Sequence, residues 1–277
     1  MKTLSLAAAI FCSTSLYLSS VQAQEGLTVE VAGVQVINKI YPPKDPKEKN
    51  SFSGNMDTLV PFNSFEPGVS VALMITSPKG GLLDVSTDAC KIETFADDKG
   101  TVLFDKESSF NKGFGAFNKV SKDGKVALVN VEGKIPLAVG ATKVTAKGTA
   151  ALRVGSKTTK HPIAKSVLKK GSVVKAGAIE FTVTNAKPQG DEINIDFETK
   201  TDPATVASFK FLGADGKEIE SRKNMSGSMG FMGKKTYSFT YEVKTNQAQL
   251  AMEIEIWDDM KLINVPFSVV IPVTSGK

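Results

Sequence analysis

Tyr237-Ser238-Phe239-Thr240-Tyr241-Glu242-Val243 places every bulky side chain at an odd position and every small or polar one between. Leu250, Met252, Ile254 and Ile256 repeat the pattern a few residues on. A period of two means a β-strand with one face packed inward and the other wet. The same alternation runs through Leu27–Val31, Val69–Ile75, Val126–Val131, Ile179–Val183 and Ile193–Phe197. Short turn signals separate these runs: Pro78-Lys79-Gly80-Gly81, Asp97-Asp98-Lys99-Gly100, Lys122-Asp123-Gly124, Ala214-Asp215-Gly216 and Asp258-Asp259. Asp and Gly supply backbone geometry that β-branched residues resist. With no long stretch at a period of 3.6, the chain reads as all-β and antiparallel.

The two halves resemble each other. Gly26-Leu27-Thr28-Val29-Glu30-Val31 opens one and Gly177-Ala178-Ile179-Glu180-Phe181-Thr182-Val183 the other. Phe95-Ala96-Asp97-Asp98-Lys99-Gly100 matches Phe211-Leu212-Gly213-Ala214-Asp215-Gly216 at an offset of 116. The closing strands match at an offset of 104, with Lys157 over Lys261 and Pro162 over Pro266. Three blocks in one order read as a tandem duplication: a first repeat over 24–170 and a second over 171–277. In this alignment Thr158–Val167 is the last strand of the first repeat, and Leu168-Lys169-Lys170-Gly171 is the junction. The first repeat carries an insertion near 39–67, whose Pro42, Pro43, Pro46, Pro61 and Pro67 are unsuited to a central strand.

About seven short alternating strands, the lone Trp257 and the Asp215-Gly216 hairpin give the second repeat its resemblance to bacterial immunoglobulin-like or fibronectin-III-like β-sandwiches. That resemblance implies two tandem sandwich domains of a kind used as adhesive, spacer or binding modules.

Residues 1–23 have the layout of an export signal: Lys2, an apolar run over Leu4–Leu18, then small or polar residues to Val21-Gln22-Ala23. The run falls short of the roughly 20 apolar residues that span a bilayer, so cleavage before Gln24 and a mature chain without a transmembrane segment are expected, in the periplasm or outside the cell. Phe11 before Cys12 is too bulky for lipid processing. Cys90 is then the one thiol of the mature chain, so no internal disulfide is available, and Cys90 reads as a small buried apolar residue. The formal net charge of +5 is mild and spread along the chain, which points away from a nucleic-acid partner.

Catalytic resources are few. His161 is the one histidine, and no Gly-x-Ser-x-Gly elbow accompanies it. One histidine and one cysteine do not make a zinc site, and no cofactor is expected. Asp97-Asp98 and Asp258-Asp259 read as hairpin corners, with a calcium site as the lesser reading. Gly227, Gly230 and Gly233 lack the spacing of a dinucleotide fingerprint. Asn224-Met225-Ser226 fits an N-glycosylation acceptor.

Two Gly-rich segments follow the matched hairpins: Ser108–Phe117, carrying Phe110, Phe114 and Phe117, and Met225–Gly233, carrying Met225, Met229, Phe231 and Met232. The plain reading has both as loops plugging the ends of each sandwich. The functional reading makes these residues partner-binding, because adaptable Met and Phe side chains invite contacts; copper(I) on the three methionines is a minor variant. The sequence thus suggests a non-enzymatic exported module for an envelope component, whether protein, glycan or membrane surface. The rival is a carbohydrate-active or glycan-binding protein using paired carboxylates or exposed aromatics.

Overall fold

The computed structural model describes residues 26–37, 62, 67–104, 113–115, 118–231, 234–247 and 249–273. The signal segment 1–23 and all of the 39–67 insertion except Phe62 and Pro67 lie outside these residues.

Among the described residues the chain is all-β. The strands are β1 (Thr28–Ile37), β2 (Gly68–Thr76), β3 (Leu82–Val85), β4 (Lys91–Asp97), β5 (Lys119–Val120), β6 (Val126–Gly133), β7 (Lys143–Val154) and β8 (Thr158–Val167). They continue with β9 (Val173–Ala176), β10 (Ile179–Gln189), β11 (Glu192–Thr199), β12 (Val206–Leu212), β13 (Glu218–Ile219), β14 (Ser221–Phe231), β15 (Lys234–Val243), β16 (Gln249–Trp257) and β17 (Lys261–Pro272). Two single-turn 3-10 helices, Thr87–Ala89 and Pro203–Thr205, complete the set. No helix among these residues is long and apolar enough to cross a membrane.

Two compact units form. One comprises residues up to Gly80, Val85–Ala151 and Asn264–Lys277; the other comprises Gly81–Asp84 and Leu152–Ile263. In the first unit, the sheet order β1-β2-β6-β5 lays Val29, Val31, Val34 and Val36 beside Ile75, Leu73, Val71 and Val69, then beside Ala127, Val129 and Val131. This valine-rich face is core: the β2 and β6 members are fully buried. The register slips by one at Ala32, a β-bulge that keeps Val31 and Val34 on the same side.

In the second unit, β14-β15-β11-β10-β9 and β13-β12-β16-β8 form the two sheets. Their buried residues merge into one core, with Phe181, Ile195, Phe197 and Phe239 from the first and Phe209, Phe211, Met252 and Ile254 from the second. The layering is therefore sandwich-like. Phe209 touches Phe181, Phe197, Phe211 and Phe239 and stacks on Tyr241, its centroid 5.1 Å away. Burial pushes the Tyr241 hydroxyl up to about 12.

The sheets repeat one plan. The order β1-β2-β6-β5 recurs as β10-β11-β15-β14, and β4 beside β7 recurs as β12 beside β16. The chain is not divided at residue 170, however. Thr158–Val167, expected to close the first repeat, pairs with β16 and belongs to the second unit. The C-terminal strand β17 instead lies beside β7, and residues from 264 onward belong to the first. The equivalent closing strands are exchanged. Both follow their predecessors after three residues, 155–157 and 258–260, yet neither pairs with the strand before it.

Candidate functional site

The segment read as a Gly-rich loop at 225–231 is instead the distal half of strand β14, hairpinned with β15. Sequence alternation does not reveal it, because Ser226, Gly227, Ser228 and Gly230 carry no bulk to alternate; the ladder with β15 makes it a strand. The register runs from Ser221 opposite Val243 to Phe231 opposite Lys234, with a bulge at Asn224. On its other side β15 pairs with β11 only as far as Tyr237 opposite Thr199. The hairpin therefore runs three rungs past its sheet: Met229 opposite Thr236, Gly230 opposite Lys235, and Phe231 opposite Lys234.

Met229 sits on this projecting part and is 78% exposed. The Lys235 ammonium lies 5.5 Å from the centre of the Tyr237 ring, and Lys223 lies 5.2 Å from that of Phe239. Burial lowers the pKa of Lys223. The base of the hairpin is polar. Arg222 and Asn224 both donate to Glu242, the Arg222 bond being 2.8 Å, and Lys244 meets Glu220 at 2.7 Å. Arg222, Glu242, Glu220 and Lys244 line, with Glu192 and Ser221, a shallow cavity of about 250 Å³. Glu220 and Glu242 are thus engaged by cations.

The matching segment in the first unit behaves differently. Phe114, one of the expected partner-binding residues, is 1% exposed; it bridges to Val131 and packs edge-on against Phe267, with centroids 6.3 Å apart. It is a core residue, and its place on the candidate surface is corrected accordingly. The glycines around it serve close approach. A Cβ on Gly113 (φ +83°) would lie 2.8 Å from Cγ1 of Ile92, and one on Gly115 would run into the Glu132 carboxyl. Met225 and Phe231 fall within β14, opposite Thr240 and Lys234. Phe110, Phe117 and Met232 lie outside the described residues.

The acidic corners hold turns. Asp97 accepts from the amides of Lys99 (2.9 Å), Thr101 (2.8 Å) and Ala138 (2.9 Å). Burial works to raise its pKa, but these bonds prevail and lower it. Asp98 is held down to about 2 by the hydroxyl and amide of Thr142. Asp259 is held down to about 2 by the hydroxyl and amide of Ser156 and the amide of Lys157. Asp123, Glu180 and Glu255 also shift downward, each chiefly through a side-chain hydrogen bond, from Ser121, Lys175 and Thr158 respectively. Every shifted carboxyl among the described residues thus moves away from the raised pKa that a glycosidic general acid needs.

No group of three or more His, Cys, Asp or Glu among these residues is placed to hold a metal ion. His161 sits in β8 opposite Ile254, its ring against Gly177. Cys90 is buried, its Sγ accepting from the Ala151 amide at 3.2 Å. Comparison with protein-family models, curated proteins and solved structures finds no match for this chain.

Proposed function

We propose that this chain is an exported, non-enzymatic module of two immunoglobulin-like β-sandwiches that binds a component of the cell envelope through the β14–β15 hairpin. The carrying observation is Met229: a large apolar side chain held 78% exposed on a hairpin that outruns its sheet. An unburied methionine near the tip of an edge strand, among Gly227, Ser228 and Gly230, exposes apolar surface without any core to serve, and such surface favours a partner. Sequence adds Lys234 and Lys235 beside it.

Co-sedimentation of residues 24–277 with separated envelope fractions tests this, alongside Met229→Ser. Pelleting with one fraction, lost in the folded variant, supports the reading and names the partner class. Equal behaviour of the two proteins overturns it.

A further inference from the structure

β14 is a terminal strand: the order β14-β15-β11-β10-β9 leaves its far side without a strand among the described residues. The other sheet edges are guarded in ways that discourage pairing. β8 and β17 carry Pro162 and Pro266, and β3, β5, β9 and β13 are two to four residues long. β1 has its bulge at Ala32, with the Phe62 ring against Gly33. β14 has a bulge at Asn224, but from Met225 to Phe231 it holds no charge, no proline and no further slip.

The direction of its backbone groups follows from the ladder. The Lys244 amide donates to the Glu220 carbonyl at 2.9 Å. Even-numbered residues of β15 therefore turn their N–H and C=O toward β14, and odd-numbered ones toward β11. Thr240, Ser238 and Thr236 thus bond Met225, Gly227 and Met229, which stand opposite them. The residues at alternate positions, Ser226, Ser228 and Gly230, aim N–H and C=O at the open side. A straight edge with such groups two residues apart fits an extended chain.

We infer that this edge pairs with β14 of a second copy, antiparallel about a two-fold axis at Gly227. An antiparallel ladder bonds outward-facing residues to outward-facing residues. With Gly227 opposite the second copy's Gly227, Ser226 meets the second copy's Ser228, and each N–H donates to the other's carbonyl. Symmetry repeats the exchange on the far side of the axis. In the same register Met229 meets the second copy's Met225 as a non-hydrogen-bonded pair, where Cα atoms are about 4.5 Å apart. Pairing thus covers a side chain that is 78% exposed in one chain. The charges of β14, Arg222 and Lys223, lie at one end. Antiparallel pairing sets them at opposite ends of the seam, whereas parallel pairing would stack like charges. The seam is short, so the dimer is weak. The contact is made by the backbone of the edge and goes beyond envelope binding; either can fail alone.

Sedimentation equilibrium of residues 24–277 between about 10 µM and 1 mM tests this. The apparent mass should rise toward twice that of one chain. Ser228→Pro removes an outward N–H and leaves the β15 ladder intact, so it should hold the mass at one chain throughout. It keeps Met229, so its pelleting with the envelope fraction reads the hairpin's binding apart from its dimerisation. Should that variant not fold, Gly227→Cys places two thiols across the axis within disulfide reach and should cross-link under mild oxidation. Ser238→Cys, one strand further in and about 14 Å from its copy, should not. Cys90 is buried and does not compete. A mass that stays at one chain up to about 1 mM overturns the inference and leaves the edge to an extended segment of another protein. A dimer unaffected by Ser228→Pro, or equal cross-linking at positions 227 and 238, also overturns it.

Discussion

The amide of Asp258 donates to the carbonyl of Lys157 at 2.9 Å, the terminal rung that ties β16 to β8. In the other unit the amide of Val273 donates to the carbonyl of Thr142, also at 2.9 Å, at the opposite end of the β17–β7 ladder. Each unit is thus closed by the strand that sequence order assigns to the other repeat. A fragment of residues 171–277 lacks β8, leaving β16 as an edge along a ladder that runs from Gln249 to Trp257. That fragment is expected to be unfolded or aggregated, because a long exposed apolar edge templates association. A fragment of residues 152–263 retains β8 and should show cooperative thermal unfolding by circular dichroism. Cooperative folding of 171–277 alone would refute the exchange.

Acid should weaken the corners first. Asp98 and Asp259 titrate near 2 in the folded chain, against about 3.9 for an unperturbed aspartate. A depressed folded pKa means the unfolded chain binds protons first as pH falls. The stabilisation is therefore complete above about pH 5 and is lost between there and about pH 2. The Asp98→Asn, Asp259→Asn double variant should lose less Tm than the parent between those limits. Parallel Tm profiles would show that neither corner is coupled to folding.

Glycines in this chain have two opposite roles, and substitution separates them. A Cβ at Gly133 would meet the backbone carbonyl of Leu103, which cannot give way, and would lie 3.0 Å from the Phe95 ring. Gly133→Ala should destabilise by about 3 kcal/mol. At Gly227 the nearest atom to an added Cβ is the Ser238 hydroxyl at 3.6 Å, ordinary contact. Gly227→Ala should be neutral or stabilising by up to about 1 kcal/mol. Urea midpoints of the two variants check both.

The strands with bulky alternation, from Val69–Ile75 to Leu250–Ile256, are legible in sequence because burial of one face imposes the period. So are the Asp corners, whose short side chains can bond amides two to four residues on. Three features are not legible. β14 is made a strand by its neighbour rather than by its own side chains. The exchange of β8 and β17 leaves no local trace, since both carry the same edge pattern with a proline, and pattern selects an edge without selecting whose edge. Asn130, on the expected wet side of an alternating strand, is buried by packing that no period reports. In the candidate site, Met229 was visible by type, but only the ladder shows that it projects.

Phe114 and Met229 were equal candidates by composition and should separate completely by experiment. Phe114 is sealed between Val131 and Phe267, so Phe114→Ala removes a buried ring and leaves a cavity, costing about 3–5 kcal/mol. Met229 touches solvent over most of its surface, so Met229→Ser should change stability by no more than about 0.5 kcal/mol. Unfolding of each variant in urea, with the slope of the transition unchanged, measures the difference directly. The binding assay should rank them the other way: under conditions where it stays folded, Phe114→Ala should still pellet with the envelope fraction, and Met229→Ser should not. A Phe114→Ala protein that is as stable as the parent would mean that this ring does not seal the first core. Loss of binding in folded Phe114→Ala with binding retained in Met229→Ser would move the contact surface from the hairpin to the first unit.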